Sequence, residues 1–278
     1  MPEIDALLHG LTLLADGPGR YRAENMFSGP GVIFGGQLLA QTIVAASHDE
    51  PSKRVKTIHT IFARGGAPER GVEIGVEVMH SGRAFASSTV TISQGERLCT
   101  RSLVLLCADD PEVISHADQM PQVGNPLDAF PGSHTGGAWE VRIVDGVDIS
   151  DPDAVGPAEL HVWTRFVGAP DDVLTGQALL AYATDGFLIG TAMRPHAGVG
   201  QSQAHVTLST GVISHTLTFH EPFAASEWLL MSHRSPHAGH GRSYGRADVF
   251  SADGRLVASF VQDNMIRPIP DGGARHGL

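Results

Sequence analysis

Residues 35–48 read GGQLLAQTIVAASH, and residues 176–185 read GQALLAYATD. In the first stretch Leu38, Leu39, Thr42, Ile43 and Ala46 recur at i, i+3, i+4 spacing, which predicts a helix that is amphipathic or wholly buried. The second stretch opens with the same Gly-Gln pair and the same Leu-Leu-Ala run, so the chain has to be searched for a repeat before any fold is assigned. Further echoes follow in the same order. IHTIF around His59 returns as SHTLTF around His215, and GRAFASSTVTISQGERL from Gly82 returns as GRSYGRADVFSADGRL from Gly241. Gly82 to Gly95 and Gly241 to Gly254 are both thirteen residues apart.

The segments around each helix have a strand period. GVEIGVEVMH (71–80) alternates Val72, Ile74, Val76 and Val78 with Glu73 and Glu77, the pattern of a half-buried strand. Further strands are predicted at 55–64, 83–93 and 97–107, with SQGER (93–97) as the turn between the last two. AWEVRIVD (138–145) and AELHVWTRF (158–166) open the second half, as RYRAENM (20–26) opens the first. Residues 108–137 are rich in Pro, Gly, Asp and His, show no period, and are expected to be a linker. The prediction is an α+β double hot-dog: an N-terminal unit at 1–107, the linker at 108–137 and a C-terminal unit at 138–278, each a long central helix wrapped by an antiparallel sheet.

Composition narrows the function. The 278 residues carry a net charge of -11, which offers no basic face to nucleic acid and no polybasic anchor for an anionic membrane. No apolar run approaches the roughly 20 residues of a membrane span, and the acidic N-terminal stretch lacks the positive charge of a signal peptide. A cytoplasmic protein that neither binds nucleic acid nor inserts into a membrane is expected. Cys99 and Cys107 lie eight residues apart in one predicted strand, too far at about 3.3 Å per residue to bond within it.

Seven segments, taken in order, resemble the type II acyl-CoA thioesterases, the family of bacterial thioesterase II and the peroxisomal acyl-CoA thioesterases. They are FGGQLLAQTIVAA (34–46), HTIFARGG (59–66), SGRAFASSTVTISQ (81–94), EVRIV (140–144), AYATDGFLIGTAMRPH (181–196), SHTLTFHEPFAASEWLLMS (214–232) and DGRLVASFVQDNMIR (253–267). The resemblance implies hydrolysis of acyl-CoA to a free acid and coenzyme A without metal or organic cofactor, and an attacking water held by an aspartate, a hydroxyl residue and a glutamine. Asp185 falls on the aspartate position and Gln262 on the glutamine position. Val212 occupies the hydroxyl position, three residues before His215.

Asp185 sits inside LLAYATDGFLIG (179–190), where an ionised carboxylate is costly unless it is paired or working. Side chains at i and i+2 of a strand share a face, so Thr210 and Ser214 are expected on the side of Val212, about 7 Å along the strand, with Ser214 preferred as the substitute hydroxyl. Gly35, Gly36 and Gly176 open the two helices, and their missing side chains are expected to let a thioester approach backbone N–H groups that stabilise an oxyanion. A rival reading of Val212 is an acyl-CoA-binding protein with reduced or lost turnover; a hydratase, which needs an acid and a histidine together, fits less well. His59 and His215 read as satisfied core or interface histidines. His233, His237 and His240 read as hairpin residues rather than a metal site, and SGPGVIFGG (28–36) as a turn into the helix rather than a nucleotide loop. The exposed edges of such sheets predict a homodimer or a higher homo-oligomer.

Overall fold

The computed structural model describes residues 3–26, 31–131 and 137–269. The first part of SGPGVIFGG, at 28–30, and the last part of the expected linker, at 132–136, lie outside these. The first half comprises α1 (Ile4–Gly10), β1 (Leu14–Ala15), β2 (Arg20–Ala23), α2 (Gly35–Ser47), β3 (Arg54–Phe62), β4 (Val72–Ser81), β5 (Phe85–Gln94) and β6 (Arg97–Cys107). The second comprises β7 (Phe130–Pro131), β8 (Trp139–Ile143), β9 (Glu159–Phe166), α3 (Val173–Thr184), α4 (Leu188–Met193), β10 (Leu208–Phe219), β11 (Leu229–Gly239), β12 (Arg242–Ser251) and β13 (Leu256–Pro268). The repeat is visible in the pairing. Outward from β3 the first half runs β6, β5, β4, β2, and outward from β10 the second runs β13, β12, β11, β9. β3 and β10 pair antiparallel with His59 opposite Thr216 and Ile61 opposite Ser214, so the two half-sheets form one continuous sheet among the described residues.

α2 and α3 lie inside this sheet and are buried almost all round, including the polar Gln37, Gln41 and Gln177. Leu38, Leu39, Ile43, Leu179 and Leu180 belong to the same core as Ile58, Leu217 and Phe260, so the two repeats share one interior. Each fully buried Leu or Phe contributes about 1.5–3 kcal/mol. Buried amides need partners, and they find them on neighbouring backbone: Gln41 Nε2 donates to Gly10 O at 2.8 Å, and Gln177 Nε2 donates across the repeat boundary to Val55 O at 2.7 Å. The connection after β6 is not a free loop. Met120, Val123 and Ala129 pack against Trp163, Trp228 and Phe250, and Trp163 Nε1 donates to Gly124 O at 2.9 Å.

The start of α2 meets the end of α3, and the end of α2 meets the start of α3, so the helices run antiparallel and each positive end faces a negative end. The contact is backbone to backbone. A Cβ on Gly36 would lie 2.2 Å from the Tyr182 carbonyl oxygen. Gly36 is therefore required by packing, and Gly36→Ala is expected to destabilise the fold by about 1–3 kcal/mol, read as a lower urea midpoint with an unchanged slope; an unchanged midpoint would contradict this contact.

Candidate active site

α3 stops where Asp185 needs it to. Asp185 caps the helix at φ -73°, Gly186 follows, and Phe187 turns the chain at φ 72° before α4 begins at Leu188. Asp185 is thus the residue just past the central helix rather than one within it. A positive φ is unfavourable for an aromatic residue and persists only where surroundings enforce it. The Phe187 ring lies edge-on to Trp139 at 6.4 Å and 5.7 Å from the His233 ring, contacts that hold the turn.

The carboxylate of Asp185 faces the first residues of α2. A Cβ on Gly35 would lie 2.9 Å from its Oδ2 and 3.0 Å from its Oδ1. Two opposing effects set its protonation. Burial penalises the charge, and the Gly36 and Gly35 amides, at the positive end of α2, favour it; burial wins, and the pKa is pushed up to about 7. Oδ1 is buried without a hydrogen-bond partner of full geometry among the described residues. The neighbouring Tyr182 phenol is driven above its ordinary range by burial and then by the charge of Asp185.

Gln262, on β13, is 1% exposed, and its amide nitrogen is shared between Thr184 O and His215 Nδ1, each at 2.8 Å. The Thr184 carbonyl can only accept, which identifies the nitrogen, makes His215 Nδ1 an acceptor too, and leaves Oε1 as a buried acceptor with no partner among the described residues. His215 Nε2 lies 3.1 Å from Thr184 Oγ1, which donates to Ala181 O at 2.8 Å. With Nδ1 accepting from Gln262, the imidazole carries its proton on Nε2 and is neutral, its pKa pushed down to about 3 by burial and then by His59. His215 is the buried histidine that its strand position suggests, and it also fixes the rotamer of Gln262. Thr184 joins the chain on one side and precedes Asp185 on the other. Sequence reasoning missed Thr184: its only signal is adjacency to Asp185.

The other expected residues divide. β10 carries a bulge at Ile213, with Val212 opposite Asn264 and Ser214 opposite Asp263. One extra residue moves every later side chain to the other face. Ser214 therefore does not share a face with Val212: its hydroxyl donates to Asp263 Oδ2 at 2.8 Å on the exposed side. Thr210, before the bulge and 8% exposed, keeps the inner face with Val212. Gly35 and Gly36 do meet Asp185, but the space their missing side chains leave is filled by that carboxylate and by the Tyr182 carbonyl. Gly176 lies nine residues up α3 from Asp185, about 14 Å away at 1.5 Å per residue, and faces Phe223. His233 and His237 lie within β11 rather than in the hairpin loop. His233 is buried against Leu160 O at 3.1 Å and pushed down to about 4, chiefly by burial. Among the described residues no three His, Cys, Asp or Glu side chains are grouped as for a metal ion.

Compared with known families, residues 23–107 match the acyl-CoA thioesterase N-terminal domain and residues 112–266 the acyl-CoA thioesterase C-terminal domain. The chain belongs to the acyl-CoA thioesterase family. It is 30% identical to acyl-CoA thioesterase 2 of Haemophilus influenzae over 95% of its own length and 98% of that protein's. It is 27% identical to mouse acyl-coenzyme A thioesterase 8, over 86% of this chain and 81% of that one. An acyl-CoA thioesterase II from Mycobacterium marinum superposes with a TM-score of 0.81 at 28% identity, covering 97% of this chain and 99% of that one.

The raised pKa of Asp185 has a thermodynamic signature. An unfolded aspartate titrates near 3.9, so between about pH 4 and 7 the folded chain holds a proton that the unfolded chain has lost, and stability falls as pH rises through that window. Asp185→Asn removes this cost. Its stability advantage over the native chain is expected to be small at pH 4 and to grow to as much as about 4 kcal/mol at pH 8. Paired urea titrations across that range measure it, and an advantage that does not change with pH would contradict the buried carboxylate.

Proposed function

We propose that the chain hydrolyses acyl-CoA thioesters, with Asp185 as general base and Gln262 as the group that positions the water. One observation carries this reading. Asp185 Oδ1 and Gln262 Oε1 are both buried acceptors left without a hydrogen-bond partner of full geometry among the described residues, and both belong to side chains set against Thr184, one by sequence and one by its 2.8 Å hydrogen bond. A water has two protons to donate, and two such acceptors would fix its orientation while its lone pair faces a substrate carbonyl.

The chemistry then balances without an added reagent. Water oxygen attacks the thioester carbonyl carbon, Asp185 takes one proton, the tetrahedral intermediate expels the coenzyme A thiolate, and the proton passes from Asp185 to sulfur. Products are the carboxylic acid and free coenzyme A. A thiolate leaves easily, so a base near neutrality suffices, and a pKa of about 7 matches that task. The bond from Gln262 to His215 keeps the amide oxygen, not the nitrogen, turned to the water. His215 is itself too weakly basic, buried and neutral, to compete for the proton.

Purified chain assayed for thiol release from acyl-CoAs of graded length tests this. Activity is expected to rise with pH and level off above about 7, as Asp185 ionises. Asp185→Asn is expected to lower kcat by about 10²–10⁴-fold, and Gln262→Ala by a smaller factor. Turnover undiminished in Asp185→Asn would overturn the assignment.

Self-association is proposed from a different surface. Phe85, Leu105, Leu103 and Ile61 run diagonally across the outer face of β5, β6 and β3, each between 37% and 52% exposed. A contiguous apolar patch of this kind on a sheet face marks an interface. Light scattering is expected to give at least twice the 29.4 kDa chain mass, and Leu103→Glu is expected to lower it; a native monomer would contradict the proposal.

A further inference from the structure

Val212 leaves the inner face of β10 without a hydroxyl at its position, yet the residue paired across from it on β13 is polar. Asn264 pairs with Val212, is fully buried, and lies two residues beyond Gln262 on the same face. Directly opposed residues of an antiparallel pair hold their Cβ atoms about 4.5–5.5 Å apart, so the Asn264 amide and the Val212 methyls border the same space. On its other side Asn264 pairs with Ser243 of β12, and its Nδ2 reaches Ser243 Oγ at 3.4 Å, a long bond. That contact turns the nitrogen toward β12 and the amide oxygen away from it. Oδ1 is left buried with no partner among the described residues, as are Gln262 Oε1 and Asp185 Oδ1.

Resting on the thioesterase reading above, we infer that Asn264 is a catalytic residue of this chain, its Oδ1 holding the attacking water from the corner that Val212 leaves apolar. Asp185 takes the proton that is transferred. The second proton of the water is shared by the two amide oxygens on β13, Gln262 Oε1 and Asn264 Oδ1, in a bifurcated bond. The shared face of Gln262 and Asn264 follows from strand period; the amide at 264 stands beside position 212 because the bulge at Ile213 keeps Val212, and not Ser214, on that face. Leu188 of α4 packs over Gly245, the residue paired with Gln262, and closes the β12 side with apolar surface.

The test is a set of four chains assayed for thiol release: native, Asn264→Ala, Val212→Ser and the double variant. Asn264→Ala is expected to lower kcat at least tenfold with KM changed by less than threefold and the unfolding temperature retained. Val212→Ser alone is the reference for the double variant, and adding it to Asn264→Ala is expected to restore most of the loss, because the serine hydroxyl then takes the place of the amide. A native-like kcat in Asn264→Ala, or an equal loss in the double variant, overturns the inference. If Asn264→Ala does not fold, Asn264→Leu, which keeps volume and removes the amide, is measured in its place with the same expectations. A chain that hydrolyses acyl-CoA and loses that activity in Asp185→Asn but not in Asn264→Ala refutes the role of Asn264 alone, whereas a native chain inert toward the whole acyl-CoA series refutes both readings.

Discussion

The end of α3 and the beginning of α2 meet with no side chain between them, and a carboxylate is trapped at the junction. Gly36 lets the two backbones touch at Tyr182, and Gly35 leaves room for both oxygens of Asp185. The amides of α2 supply the partial positive charge that the carboxylate needs, while the enclosing core removes it from bulk solvent. The balance falls on the side of burial, so the acid is neither a stable ion nor a permanently neutral group at physiological pH. Everything else in the site is arranged around that point. Phe187 is held at a positive φ to end the helix there, and Gln262, His215 and Thr184 form a chain of hydrogen bonds that leads to the same turn.

Much of the architecture is written in the repeat. Matching helix openings at Gly36 and Gly176, matching strand echoes at His59 and His215, and equal spacings after Gly82 and Gly241 correspond to two half-sheets with the same strand order. Periodicity is local, which is why helix and strand positions were legible. The joining of the halves through β3 and β10 was not, because pairing between strands some 150 residues apart leaves no trace in either strand's own pattern. The same holds for the connection after β6, whose Met120 and Val123 cover tryptophans that lie later in the chain.

The site was legible in part, and for a physical reason in each case. Asp185 stands out because charge inside an apolar run has to be accounted for. Gln262 does not, since an outward glutamine and a buried one look alike in a strand; only the family resemblance pointed to it. Ser214 illustrates the limit of counting by twos. The bulge at Ile213 reverses the face, and a bulge has no marker in GVISHT. Asn264 was invisible for the same reason: its relation to Val212 is a matter of register between two strands. The glycines were recognised as places of close approach, but the partner is the other helix and its aspartate rather than the ligand.

The fold and the chemistry therefore constrain one another. A tighter, fully apolar helix junction would be more stable, and Asp185 is retained there at a cost that is present only where the acid is ionised, which is also the form that the proposed role as a base requires. The most direct measurement is the titration of the Asp185 carboxyl carbon by ¹³C NMR, assigned by its absence in Asp185→Asn. A midpoint near 7, coinciding with the rise of thiol release with pH, is what this account predicts; a midpoint near 4 would contradict it.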